Sequence, residues 1–221
     1  VAIDNPDDYD ARANIMWAGM MAHNNSCGVG RSQDWNSHNI EHELSALYDC
    51  AHGAGLAVTF PAYISYVTKM ALAGIKGDDS SVWEKRLKRL VMWASRVWGV
   101  IPDGMSDEEV IAEGVRRYKC FLKRIGMPLT LEEVGGSEAD IDKLAETGCY
   151  GDGRGVYMYG FVKLSVDDVK AVLLDMRKMS KQELDIEILD DIAGGAQVEI
   201  NNTIKNNTKP VKVGPVIVIG M

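Results

Sequence analysis

The sequence predicts a mainly α-helical chain with a short strand-like carboxy-terminal tail, and three observations predict it. Capping signals recur ahead of segments whose apolar residues follow helical spacing. Glycine and proline cluster between those segments, where turns belong. Alternation suited to strands is confined to the residues after Met179.

The first helix is expected from "NPDDYDARANIMWAGMMAH", with Asp4 or Asn5 near its cap, Pro6 in its first turn, and Asp7 and Asp8 suited to the positive end of the helix dipole. Ile15, Trp17, Met20 and Met21 read as its core positions. "SCGVGR" reads as a loop. Asp34 is placed to cap a second helix over Asn36–Tyr48, and a third runs from about His52 to Met70 with a kink or break at Pro61. After a turn at "AGIKGDDSS", Ser81–Trp98 is amphipathic, with Leu87, Leu90, Val91 and Trp93 facing inward. "SDEEV" at Ser106 is a capping box that opens a helix to Arg124; "TLEEV" at Thr130 and "SVDDV" at Ser165 repeat the device, the last with Asp in place of Glu. "YGDGRG", Tyr150 to Gly155, follows no strand and opens no helix, so it reads as a loop rather than a phosphate cradle.

These elements divide the chain into a helical domain, residues 1–178, and a tail, residues 179–221. In the tail "MSKQELDIEILDDIAGG" reads as a short acidic helix ending at Gly194 and Gly195, and "VEINNTIKNNTKPVKVGPVIVIGM" as extended. An acidic amphipathic helix before a double glycine also resembles the leader of a secreted ribosomal peptide, so a noncatalytic helical module presenting such a tail is one reading of the whole chain.

Composition narrows the partners. With 24 basic against 32 acidic residues the net charge is -8, which disfavours a broad nucleic-acid footprint or an anionic membrane surface. No unbroken apolar run is long enough to span a bilayer. Cys27, Cys50, Cys120 and Cys149 are far apart and form no C-x-x-C pair, the usage expected of reduced thiols in a cytoplasmic protein. The chain opens on Val1 without an initiator methionine, as a processed chain or a fragment does.

The chemistry concentrates in "DWNSHNIEHELSALYDCAHGAG", which holds three of the four histidines. His38 and His42 are four apart and share a helix face. His52 follows His38 by fourteen residues, about 21 Å along a continuous helix, so one ion joins them only if the chain folds back. "YDCAHG" offers the place to do so, with Gly53 permitting close backbone approach. Read from the residues alone, three alternatives stay open: helix-end or buried structural histidines, a metal centre, and, from "HNIEH", the H-x-x-E-H pattern of inverted zinc proteases with Glu41 as base. Glu41 reads equally as the orienting partner of a ligand histidine or as an exposed helix carboxylate. Trp35 and Tyr48 border the cluster as pocket walls or as packing, and His23 reads as structural.

"DWNSHNIEHELSALYDCAHGAGLAVTFPAY" resembles the second signature of the iron-containing (group III) alcohol dehydrogenases, in the branch of NADPH-dependent butanol dehydrogenases and aldehyde reductases. "NPDDYDARANIMWAG" resembles the helix before that signature, and "YGFVKLSVDDV" echoes a later segment, so the likeness runs from about Ala2 to Leu174. It implies the helical metal-binding domain of the dehydroquinate synthase-like type. It also implies hydride transfer between NAD(P)H and a primary alcohol or aldehyde, with a divalent ion, Fe2+ or Zn2+, as Lewis acid. The family's two later metal-binding histidines fall on His38 and His52. The histidine near nicotinamide and substrate falls on His42, which is thereby assigned a proton relay or substrate positioning.

The family's glycine-rich cofactor domain and its earlier Asp and His ligands find no counterpart in these 221 residues. The expectation is therefore a carboxy-terminal part of an enzyme, binding metal weakly and inactive alone, with NADP(H) or NAD(H) seated on the missing domain and a homodimer as the assembly the branch often forms.

Overall fold

The computed structural model describes residues 1–30, 33–74, 80–150, 157–158 and 160–177. The tail from Met179 and the loop residues 151–156 lie outside them, and with them the double-glycine motif. Contacts divide the chain into two units, one containing Val1–Arg31 and the other Ser32–Leu189.

The first unit carries α1 (Tyr9–His23). Its cap is Asp8, not Asp4 or Asn5: the Asp8 carboxylate accepts the Ala11 N–H at 2.8 Å. The expected core positions are a correction. Ile15 and Trp17 are 61% and 66% exposed, Met20 is also exposed, and no α1 residue is buried. A helix buries a face only against another element, and the described residues of this unit supply none.

The second unit holds α2 (Asn36–Tyr48), α3 (His52–Leu72), α4 (Ser80–Trp98), α5 (Asp107–Arg124), α6 (Ile141–Tyr150) and α7 (Val166–Asp175). α3 is central, packing against α2, α4, α5 and α7. Its sequence explains that place: Ala57, Val58, Ala62, Tyr63, Ile64, Val67, Met70 and Ala71 are buried on several sides, the mark of a helix enclosed by others. α3 runs through the buried Pro61 without a break, so packing outweighs the cost of about 3 kcal/mol that an interior proline carries. α4 starts at Ser80; its Leu87, Leu90, Val91 and Trp93 are partly buried against the core, as their spacing predicts. α4 and α5 meet at Gly114, where a Cβ would stand 2.5 Å from the Ala94 Cβ, so a glycine sets how closely the two helices approach.

All three capping signals form. Ser106 and Glu109 exchange their bonds at the start of α5. Ser165 and Asp168 do so at α7, where the Tyr66 hydroxyl also donates to Asp168 at 2.6 Å. Thr130 and Glu133 exchange theirs too, but around a 3-10 turn, Glu132–Val134, because Gly135 at φ 92° ends it at once. A two-stranded antiparallel ribbon, β1 (Tyr157–Met158) and β2 (Leu164–Ser165), precedes α7. Strands of two residues are too short to leave an alternation in the sequence.

Candidate metal centre

The site is built where α2 turns into α3. Asp49 ends α2 in the left-handed region, φ 53°, with its N–H bonded to the Ser45 carbonyl at 3.0 Å. Asp is one of the few side chains that tolerates this conformation. Cys50 and the extended Ala51 complete the reversal, and α3 returns alongside α2 with His52 as its first residue. The fourteen-residue separation along the chain closes accordingly. The ring centroids of His38 and His52 lie 5.3 Å apart, those of His42 and His52 5.6 Å, and those of His38 and His42 6.4 Å. Trp35 sets its ring edge-on to His38 at 5.1 Å.

The three imidazoles differ in setting. His38 is half-buried, and its Nδ1 is enclosed without a hydrogen-bond partner. Burial first, and then His52 and His42, push its pKa below the ordinary value, so the neutral, ligating form is favoured there. His42 and His52 are exposed.

Beneath them Glu41 is fully buried, which the sequence left open between an exposed carboxylate and a ligand's partner. Its Oε2 meets His52 Nδ1, and its Oε1 accepts from the Ser45 hydroxyl. Gly55 makes the room: a Cβ there would lie 2.6 Å from Glu41 Cγ and 2.7 Å from Oε1.

A second network pins the start of α2. The Tyr63 hydroxyl on α3 donates to Asp34 Oδ2 at 2.7 Å, and Asn36 Nδ2 donates to the Tyr63 hydroxyl and to the Val162 carbonyl at 3.2 and 2.7 Å. Burial, with Asp34 adding to it, holds the Tyr63 pKa well above its usual value, so the hydroxyl stays a donor. Asp34 Oδ1 also accepts the Asn36 N–H at 3.1 Å; Trp35, with no side-chain cap, occupies the cap position itself. Of this network only the local role of Asp34 at the start of α2 was legible beforehand, because the partners of Asn36 are 27 and 126 residues away in the chain. Tyr48 is turned elsewhere: burial and its bond to Asp140 at 3.0 Å push its pKa up to about 12.

The donors present fit a divalent first-row ion. Three imidazoles converge, one with an orphaned buried nitrogen, and the set of N and O donors suits Fe2+ or Zn2+. Among the described residues Glu41, His42 and His52 form a group of three donors whose ligand atoms lie within 4.8 Å of one another. Glu41 is spoken for by Ser45 and His52, which favours the imidazoles as the ligating groups. His23 lies exposed at the end of α1 in the other unit.

The model of the Fe-containing alcohol dehydrogenase family, C-terminal, matches residues 1–177. NADH-dependent butanol dehydrogenase A of Clostridium acetobutylicum is 33% identical over 146 residues, 66% of this chain and 34% of that protein. The NADPH-dependent aldehyde reductase YqhD of Escherichia coli is 37% identical over 143 residues, 65% and 33% of the two chains. The crystal structure of NADH-dependent butanol dehydrogenase A from Thermotoga maritima superposes with a TM-score of 0.67 at 34% identity, covering 80% of this chain and 42% of that one. The chain thus spans about a third of the length of the curated relatives it matches. With that model matching residues 1–177, and with three histidines folded together over a buried carboxylate in its second unit, this chain is a member of the iron-containing alcohol dehydrogenase family, in the family's carboxy-terminal region.

Proposed function

We propose that this chain is the metal-binding part of an alcohol dehydrogenase or aldehyde reductase that moves hydride between NAD(P)H and a primary alcohol or aldehyde. The observation that carries the reading is the convergence of His38, His42 and His52 across the α2–α3 reversal, with the His38 Nδ1 enclosed and unpartnered. His38 and His52 are the ligands in this reading, completed by donors outside the 221 residues, since a catalytic iron or zinc ordinarily has three or more protein ligands. A bound divalent ion supplies Lewis acidity at the substrate oxygen.

The protein's own groups divide the remaining work. His38, kept neutral by burial, offers a lone pair without first losing a proton. His42, exposed one turn along α2, faces the open side, where it orients the substrate hydroxyl or passes its proton on. Trp35 packs edge-on against His38 and restrains that ring. Because both oxygens of Glu41 are engaged beneath the rings, the geometry lends no support to Glu41 as the water-activating base of a protease.

Complementation tests the reading. The purified chain is mixed with Zn2+ or Fe2+, NADPH, butanal and the recombinant amino-terminal region of a butanol dehydrogenase relative, and loss of reduced nicotinamide is followed. Expected is turnover from the mixture that neither part gives alone, and that His52→Ala removes. Turnover unaffected by His52→Ala, or a chain in which neither His38→Ala nor His52→Ala alters Co2+ binding, overturns it.

A further inference from the structure

The buried carboxylate under the histidines is costly and specifically accommodated. An ionised carboxylate removed from water is tolerated only when paired and hydrogen-bonded. Glu41, at 0% exposure, has both oxygens engaged, one by Ser45 a turn ahead on α2 and one by His52 across the reversal. The opposing helix gives up a side chain to admit it, because any Cβ at Gly55 would overlap Glu41 Cγ and Oε1.

We propose that Glu41 is a positioning residue. It holds His52 as the Nδ1–H tautomer so that Nε2, on the far side of the ring, is the nitrogen presented to the ion, with Ser45 and Gly55 holding the carboxylate in place. The proposal deepens the metal-centre reading and rests on His52 as a ligand. The chemistry follows from the ring itself. A neutral imidazole has one donor and one acceptor nitrogen, and the proton placed by a carboxylate decides which lone pair is free. The same bond raises the basicity of the ligating nitrogen and restrains the ring's rotation. Glu41 on α2 also ties directly to the first residue of α3, so the same bond links His52 to the helix that carries His38 and His42.

A tie between helices with no bearing on the ligand is the competing explanation, and two readouts separate them. The first needs no metal. Ring nitrogen and proton correlations on the 15N-labelled 221-residue chain, at a pH where the rings are neutral, report the tautomer. Expected is His52 protonated on Nδ1 in the wild type and on Nε2, the form free histidine prefers, in Glu41→Ala. A wild-type His52 protonated on Nε2 overturns the proposal.

The second readout is Co2+ affinity with its visible spectrum. Glu41→Ala is expected to weaken binding about 10–100-fold, and Glu41→Gln, which keeps an acceptor oxygen, by about tenfold or less, both with the wild-type absorption envelope at saturation. Gly55→Ala, by displacing the carboxylate, reproduces the loss, and the double variant with Glu41→Ala is no worse than Glu41→Ala alone. Should Glu41→Ala fold poorly, Ser45→Ala frees one oxygen at less cost and is expected to weaken Co2+ binding a few-fold. An altered envelope in Glu41→Gln would make Glu41 itself a ligand, and unchanged affinity in all these variants would make it a mere tie; either outcome sinks the proposal. If neither His38→Ala nor His52→Ala changes Co2+ binding, the metal-centre reading fails instead, and the metal-free tautomer measurement still judges Glu41.

Discussion

Asp49 does at the scale of one residue what the whole site depends on, since its left-handed conformation lets α2 stop and α3 begin three residues later with His52 in hand. Asp49→Val places a β-branched side chain at φ 53°, where such residues are genuine outliers, and is expected to lose about 1–2 kcal/mol in a urea titration. Asp49→Gly adopts the same conformation without strain and is expected to stay within about 1 kcal/mol of wild type. Equal losses in the two variants would show that the side chain, not the backbone, matters there. At this scale the sequence was informative about identities and silent about surroundings. The i, i+4 spacing put His38 and His42 on one face, and "YDCAHG" marked the reversal. Whether Glu41 faces water or core depends on where α3 returns, and a local window does not contain that.

The helices themselves were largely legible, because caps and apolar spacing act within one or two turns. The Ser106 and Ser165 boxes start α5 and α7 where the pattern placed them, and α2 spans the expected Asn36–Tyr48. Two of the exceptions have tertiary causes, and the third is local, the left-handed Gly135. α3 passes through Pro61 because its neighbours enclose it, α1 exposes the residues that look like core, and the Thr130 box closes a 3-10 turn only. The link between α4 and α5 yields a pH prediction. Glu113 accepts from Arg116 at 2.6 and 2.7 Å and from Arg117 at 2.7 Å, while Arg117 also donates to the Trp98 carbonyl at 3.0 Å. The bond to Arg116 foremost, and then that to Arg117, hold the Glu113 pKa below its ordinary 4.5, against the opposing effect of burial. A lowered carboxylate pKa means the stabilisation is complete above the unfolded value and is lost as pH falls through the folded one. Glu113→Gln is therefore expected to cost about 1 kcal/mol at neutral pH, discounted for partial exposure, with the gap to wild type closing on acidification below about pH 4.5. A gap that persists unchanged to pH 2 would assign the loss to shape rather than charge.

For the molecule as a whole, an ion that binds the folded chain and not the unfolded one must raise its stability. With free Zn2+ at about a hundredfold over Kd the gain is about 2.7 kcal/mol, which for a chain of this size raises Tm by about 5–10 °C. The shift should disappear on adding EDTA and in His38→Ala and His52→Ala; a Tm indifferent to Zn2+ in the wild type, measured by calorimetry, would count against a preformed centre. No helix among the described residues is long and apolar enough to cross a membrane. From the sequence alone came the helical class, most element boundaries, the three histidines and the family, because capping, periodicity and an extended motif are local or strictly ordered along the chain. The tertiary structure alone decided that His38 and His52 come within 5.3 Å, that Glu41 is buried with both oxygens taken, that Gly55 yields it space, and that Tyr63 reaches Asp34 across 29 residues. Those facts depend on how one helix lies upon another, and the free energy that sets that placement is summed over the whole core rather than written at any one position.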